Sequence, residues 1–356
     1  MKLILVGGFL GSGKSTAIKE ATLLLKQRNM STGVITNDQG EQLVDSRFVK
    51  TPNVPSLEVP NGCFCCNYED LHNCITVLQT TVKPEIIFAE SVGSCTDLVA
   101  TVVKPLSLAF DKIEIIVSIF VDATLVESVF QESMLFSKNV SYIYKKQLEE
   151  ADILILNKID LLTPEQIKRV KDKISSLFPD KTILLQNSQN ERHIDNWIKI
   201  AGSLNPQERN SLKIDYDIYG AGEADLSWFD SIVEIHSKNK KALSCALKLI
   251  RKINQRLRKE NIPIGHLKFL LSEGTHQHKI SFTSSGLENL SFENGHWQKN
   301  NIELLINARA QCSPHQLKEA IYSQINNVAS KNKVNILQKN TAVFIPGYPR
   351  PTHRIA

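Results

Sequence analysis

The chain has 356 residues, 42% hydrophobic and 22% charged, with 42 Lys and Arg against 37 Asp and Glu for a net charge of +5. This is the composition of a globular protein, and the length suggests two domains of ~100–200 residues. No apolar run approaches the ~20 residues a bilayer span needs, and the small net charge selects no class of partner.

The first residues, Met1–Val6, read as an apolar strand rather than a signal peptide, which points to the cytoplasm. There, seven cysteines are not expected to form a disulfide scaffold. The strand runs into Gly8-Phe9-Leu10-Gly11-Ser12-Gly13-Lys14-Ser15, the phosphate-loop pattern of Gly, four residues, Gly-Lys-Ser/Thr. Glycines at 8, 11 and 13 let backbone N–H groups close on phosphate oxygens where a Cβ would collide. Ser12 and Thr16 belong to the same cradle. Lys14 is expected to reach the β- and γ-phosphates, and Ser15 to offer its hydroxyl to Mg²⁺. A helix over residues 14–27 follows, with Ala17, Ile18, Ala21, Leu24 and Leu25 on one face, and its positive end faces the phosphates.

Apolar runs at Leu3–Val6, Gly33–Thr36, Glu85–Ala89, Ile113–Val121, Ile153–Leu156 and Thr182–Leu185 lack polar alternation, as strands buried on both faces do. They predict an α/β P-loop NTPase domain built on a mostly parallel sheet. Thr163-Pro164-Glu165 carries a cap and a first-turn proline and starts another helix. After the second strand, Thr36-Asn37-Asp38-Gln39-Gly40-Glu41 reads as a switch loop, with Asp38 a candidate Mg²⁺ group; the alternative is an Asx turn with no ligand. Glu90, at the end of a strand, is expected to face Mg²⁺ or its waters, and Gly93 to admit backbone near the γ-phosphate. Lys14, Glu90 and Asp38 are therefore the candidate catalytic groups.

Asn157-Lys158-Ile159-Asp160 follows a buried strand and selects GTP over ATP. A carboxylate at Asp160 accepts from guanine N1–H and the exocyclic amine, and adenine offers neither donor. Asn157 can address the base's acceptor edge, and the Lys158 stem can cover its face.

Asn61-Gly62-Cys63-Phe64-Cys65-Cys66 puts three thiols in four positions. Such a loop can hold one thiophilic ion, Zn²⁺ or Cu⁺, with a fourth position left for water, a client's ligand, or Cys74, His72 or Cys95. Buried reduced thiols or a redox pair are the alternatives.

The expected domains are a P-loop domain over 1–214, a linker over 215–227 and a smaller α+β domain over 228–330. The last of these has a β-α-β-β-β-α order, for which a ferredoxin-like arrangement is one candidate. An extended tail over 331–356 completes the chain. His276 and His278 on a hairpin, and a basic helix over 238–260, read as an exposed turn and a solvated face. No nucleic-acid motif supports the alternative for the helix.

Gly8–Thr16, Asn37–Glu41, Gly62–Cys66, Glu90–Gly93 and Asn157–Asp160 stand in the order seen in CobW-type GTPases, and residues 1–200 resemble that family, which includes HypB and UreG. The resemblance implies Cys63, Cys65 and Cys66 as ligands of a delivered metal, with zinc favoured. It also implies hydrolysis of GTP to GDP coupled to metal release, with a client metalloprotein and a second copy of the chain as candidate partners. Alternatives are a GTPase serving a cobalamin-dependent or other metalloenzyme, and a nucleotide-gated zinc sensor or store. The chain departs from the family's pattern at Val92, which removes a hydroxyl, and at Cys95, which adds a thiol.

Overall fold

The computed structural model describes residues 1–37, 44, 54–60, 62–130, 135–205, 209–286, 292, 297 and 300–356. The described residues of Met1–Gln39, Asp45–Gly222 and Tyr348–Ala356 form one compact unit, and those of Gly40–Val44 and Glu223–Gly347 a second. Asp38 lies outside the described residues, as do Gln39, Gly40, Glu41 and Asn61.

In the first unit the strands are β1 (Lys2–Gly7), β2 (Thr32–Asn37), β3 (Ser56–Val59), β4 (Ile86–Glu90), β5 (Glu114–Asp122), β6 (Ile153–Asn157) and β7 (Thr182–Leu185). They form a seven-stranded sheet in the order β3-β2-β4-β1-β5-β6-β7, every pairing parallel. Leu3, Ile4, Leu5 and Val6 of β1 are fully buried, so both faces of the strand are covered, as the unbroken apolar run requires. The helices are α1 (Lys14–Gln27), α2 (Tyr68–Thr81), α3 (Lys104–Ala109), α4 (Val126–Phe130), α5 (Lys138–Glu149), α6 (Pro164–Leu177), α7 (Glu191–Ser203) and α8 (Tyr216–Ala224). Helix α6 opens on a capping box between Thr163 and Gln166 with proline in its first turn. Trp197 of α7 is buried against Phe88 and Phe120, and its indole N–H donates to Ser118 Oγ at 3.1 Å. Because all seven strands are parallel, their C-terminal ends share one edge, where ligands bind in open α/β sheets. The phosphate loop, Asn37, Glu90, Asp122 and Asn157 all lie at that edge.

The second unit contains β8 (Ser227–His236), α9 (Ala242–Lys259), β9 (Ile264–Glu273), β10 (His276–Phe282), β11 (Asn301–Ala310), α10 (Pro314–Asn332) and β12 (Asn335–Phe344). Its antiparallel sheet runs β10-β9-β11-β8-β12. Without β10, the order β12-β8-β11-β9 with a helix after β8 and after β11 is the ferredoxin-like arrangement, and β10 is an added edge strand. Leu243, Ala246, Ile250, Ile253 and Leu257 of α9, and Leu317, Ile321, Ile325 and Val328 of α10, bury one core with the sheet. Val44, which falls between β2 and β3 in sequence, is also part of this unit. It packs fully buried with Ile232, Leu270 and Leu305, and its N–H donates to Asn307 Oδ1 at 2.8 Å.

Two expectations need correction. Residues 216–224, within the expected linker 215–227, are helix α8. The glycines there serve close packing: a Cβ on Gly222 would come within 2.7 Å of Asn139 O, and one on Gly220 within 2.6 Å of the Tyr348 ring. The expected tail, 331–356, is not one extended piece. Residues 335–344 are β12, paired with β8, and Tyr348–Ala356 belong to the first unit. No helix among the described residues is long and apolar enough to cross a membrane.

Candidate nucleotide and metal site

The loop between β1 and α1 has positive φ at Gly8 (123°), Gly11 (76°) and Gly13 (95°), conformations only glycine adopts without strain. A Cβ on Gly8 would strike the Phe120 carbonyl, and one on Gly13 the Asn157 amide. The Lys14 side chain is buried with Nζ on Gly8 O at 2.7 Å. Ser15 Oγ donates to Glu90 Oε1 at 2.8 Å, so the two groups read from distant sequence as Mg²⁺ neighbours do meet. The buried Ser12 hydroxyl has no hydrogen-bond partner among the described residues. Thr16 stands half-buried in the first turn of α1. Gly93 packs on the phosphate loop so closely that a Cβ would come within 3.0 Å of Leu10 N and Cα.

At the base end, Asp160 is exposed on a single 3₁₀ turn, Ile159–Leu161. Lys158 enters that turn with φ 64°, and its ammonium pairs with buried Asp122 at 2.8 Å. Asn157 bonds to protein groups on two loops. Its Nδ2 donates to Ser12 O at 2.8 Å, and its Oδ1 accepts from Ser188 N (3.1 Å) and Ser188 Oγ (2.8 Å). Asn157 thus ties the phosphate loop to the loop after β7. Sequence reasoning missed Ser188; its only signal is a place just after the last strand of the sheet.

The cysteines sit in a turn leading into α2, where Cys63 O accepts from Cys66 N (3.0 Å) and Asn67 N (2.9 Å). The sulfurs of Cys63, Cys65 and Cys66 lie within 4.8 Å of one another, at 2.6, 3.3 and 3.8 Å pairwise. A tetrahedron of ~2.3 Å metal–sulfur bonds has edges of about 3.8 Å. One edge already fits, and the closest pair must open by about an ångström. Cys65, Cys66 and Cys95 thiols within hydrogen-bonding reach hold Cys63 well below the usual thiol range, against the opposing effect of burial. Hydrogen bonding to Cys63 in turn raises Cys65 and pushes Cys66 up to about 11. A thiophilic cation bound there would draw protons off the cluster.

Two further elements hold the loop, and neither was visible in the sequence. Asn37, the last residue of β2, donates from Nδ2 to Val59 O (2.9 Å) and Gly62 O (2.5 Å) and accepts from Phe64 N (3.0 Å). The strand end that leads toward the expected switch loop thus clamps both sides of Cys63. From the other end of the chain, Thr352 donates through N–H to Cys65 O (2.8 Å) and through Oγ1 to Cys66 O (2.9 Å). Two residues on, Arg354 pairs with buried Asp97 at 2.8 Å, beside the Tyr216 hydroxyl, which donates to the same oxygen at 2.7 Å.

Of the other ligand candidates, the His72 ring stacks on Phe110 at 4.7 Å, and neither it nor Cys74 groups with the three thiols. His276 and His278 lie near Trp297 and Phe292, at 6.3 and 5.0 Å, and join no metal-binding group among the described residues.

Glu150 is fully buried, accepting from Val99 N (2.9 Å) and Thr96 Oγ1 (3.1 Å), and burial raises its pKa to about 8. Its ordinary value is 4.5. Between these, the folded chain keeps a proton the unfolded chain has released, so stability falls as pH rises through that window and levels off above it. Glu150→Gln preserves both contacts without a charge, since the Thr96 hydroxyl can accept from an amide. We expect melting temperature to decline from pH 5 to pH 8 in the parent and to decline less in the variant. Parallel curves would refute the assignment.

A family profile described as CobW/HypB/UreG, nucleotide-binding domain, matches residues 2–185. A zinc chaperone CobW from Sinorhizobium sp is 26% identical over 215 residues, covering 52% of this chain and 58% of that protein. The zinc chaperone YeiR from Escherichia coli is 28% identical over 164 residues, covering 45% and 47%. The chain thus spans about half the length of these curated relatives. Among solved structures, HypB from Helicobacter pylori in complex with nickel aligns at TM-score 0.40 and 16% identity, covering 56% of this chain and 84% of that one.

Proposed function

Because this chain belongs to the CobW/HypB/UreG family, whose nucleotide-binding domain it carries over residues 2–185, we propose that it is a GTP-hydrolysing metallochaperone. Its cargo is a thiophilic ion, zinc in the first instance, held by Cys63, Cys65 and Cys66 and passed to a client metalloprotein. The observation that carries this reading is the position of the thiol cluster. It is clamped by Asn37, the end of the strand that leads into the expected switch loop.

GTP is seated with its phosphates in the loop of residues 8–15 and its base over Asp160. The Ser15 hydroxyl and the Glu90 carboxylate are hard oxygen donors 2.8 Å apart at the mouth of that loop, which suits Mg²⁺. When bound, Mg²⁺ neutralises charge on the β- and γ-phosphates. Lys14 exchanges the neutral Gly8 carbonyl for an anionic phosphate oxygen, a stronger hydrogen bond. Backbone N–H groups of the loop and the unpartnered Ser12 hydroxyl complete the cradle. Water attacks the γ-phosphorus, the bond to the β-phosphate oxygen breaks, and GDP and phosphate leave with the proton passing to solvent.

By linkage, a nucleotide that moves the Asn37 end of β2 changes metal affinity, and metal changes nucleotide affinity by the same factor. The test is zinc affinity by chelator competition in apo protein, with Mg²⁺-GDP, and with Mg²⁺ and a non-hydrolysable GTP analogue. A tenfold or larger difference between nucleotide states is expected, together with weakened binding in Cys65→Ser. Equal affinity in all three states would remove the coupling.

A further inference from the structure

We propose that Gln147 is a positioning residue for GTP hydrolysis: from the buried face of α5 it orients the turn of residues 93–96, which meets the γ-phosphate. This rests on the reading of residues 8–15 as the GTP phosphate site. Gln147 is 0% exposed, and its Nε2 donates to two carbonyls of that turn, Gly93 O at 3.0 Å and Cys95 O at 2.8 Å. Its Oε1 has no partner among the described residues, so the amide is held by its donors alone. Three residues on, Glu150 accepts from Thr96 Oγ1 (3.1 Å) and Val99 N (2.9 Å). Residues three apart share a helix face, so the end of α5 grips residues 93–99 with two side chains.

The turn forms one side of the nucleotide site. It follows β4, whose last residue, Glu90, meets Ser15. Gly93 lies against the phosphate loop so closely that a Cβ would come within 3.0 Å of Leu10 N. A trans peptide directs its C=O and its N–H to opposite sides. With Cys95 O drawn to Gln147, the Thr96 N–H is turned away from it, and it donates to the Tyr219 hydroxyl at 3.3 Å. With Gly93 O drawn to Gln147, the Ser94 N–H is likewise turned away, but it meets no acceptor among the described residues. Ser94 is 0% exposed, and its hydroxyl also lacks a partner among them. Two enclosed donors on one residue are costly to leave unpaired, and an anionic oxygen suits both. Mg²⁺ bridges the β- and γ-phosphates, so the turn that follows Glu90 stands on the side of the terminal phosphate.

Without Gln147 the peptide planes on either side of Ser94 and Thr96 lose the bonds that orient them. The Ser94 donors then meet the γ-phosphate in only a fraction of conformations. Preorganised donors count most where charge develops, on the γ-phosphate oxygens in the transition state. GDP has no oxygen at that position and gains nothing from the turn. Gln147 thus acts through Gly93 and Ser94 on the triphosphate alone.

The experiment compares Gln147→Leu, which keeps the bulk and removes both donors, with the parent and with Ile174→Ala, a core variant on α6, a helix that carries none of the groups of the nucleotide site. In Gln147→Leu, single-turnover hydrolysis and affinity for a non-hydrolysable GTP analogue with Mg²⁺ are each expected to fall by about tenfold or more, with Mg²⁺-GDP affinity unchanged. Ile174→Ala is expected to lower the melting temperature and leave the ratio of the two affinities at the parent's value. In the parent, the analogue is expected to slow amide hydrogen exchange over residues 93–99, and GDP is not. Equal weakening for GDP and the analogue, or a folded Gln147→Leu hydrolysing at the parent's rate, overturns the proposal and leaves the GTPase reading standing. Exchange slowed equally by both nucleotides overturns it even if Gln147→Leu does not fold. A parent that binds no GTP overturns the nucleotide reading as well.

Discussion

Replacing Lys14 with alanine is expected to slow GTP hydrolysis by about a thousandfold, the loss typical when one preorganised donor to developing charge is removed. The side chain is 6% exposed and donates to the Gly8 carbonyl at 2.7 Å, in a loop where Gly8 and Gly13 admit no Cβ. In such an enclosed site a single ammonium acts with little screening by water. No other lysine or arginine stands within residues 8–15. Single-turnover hydrolysis at saturating GTP measures the effect, and a circular dichroism melt of the variant shows whether the fold is intact. A folded variant hydrolysing within tenfold of the parent would rule Lys14 out of the chemistry.

The second large effect concerns the base. Asp160→Asn is expected to lower GTP affinity by about a hundredfold, on the order of 3 kcal/mol, and to raise affinity for xanthosine triphosphate. The Asp160 carboxylate only accepts hydrogen bonds, matching the two donors on guanine's edge. An asparagine amide turns one acceptor into a donor and sets it against the exocyclic amine. Xanthine carries a carbonyl there and restores the match. The turn bearing Asp160 does not depend on that side chain, because the Lys158–Asp122 pair and the left-handed Lys158 backbone hold it. Competition binding with fluorescent GDP and XDP reads the exchange. Unaltered preference for guanine would mean that another group reads the base.

The parts legible in the sequence are those written in local pattern. Gly8 to Ser15 needs only its own spacing, and β1, β4, β5 and β6 announce themselves because burial on both faces demands unbroken Ile, Val and Leu. Strand β3, four residues at a sheet edge, has no such demand and was not seen. Strand β12 is exposed along most of its length, so its sequence, Asn335 to Phe344, shows only the short apolar run that ends it. A proline-rich composition after it says nothing of attachment, and what attaches the segment is Thr352 meeting carbonyls far away in sequence. Asn37 shows the same limit: its three hydrogen bonds are made by a residue type equally at home in an idle turn. The motif names Asn157 but not its protein partners Ser12 and Ser188. The three cysteines close in sequence are also close in space, because one turn carries them all.

The reach of Thr352 back to Cys66, 286 residues apart, has a consequence for the order in which the protein is made. At ~5–20 residues per second, a ribosome completes Cys66 roughly 15 to 60 seconds before it reaches Thr352. Throughout that interval the thiols stand without the segment that will hydrogen-bond over them. The nascent chain is then open to whatever soft cation or oxidant the surroundings hold. The cysteine turn therefore acquires its last two backbone hydrogen bonds only when synthesis is nearly finished.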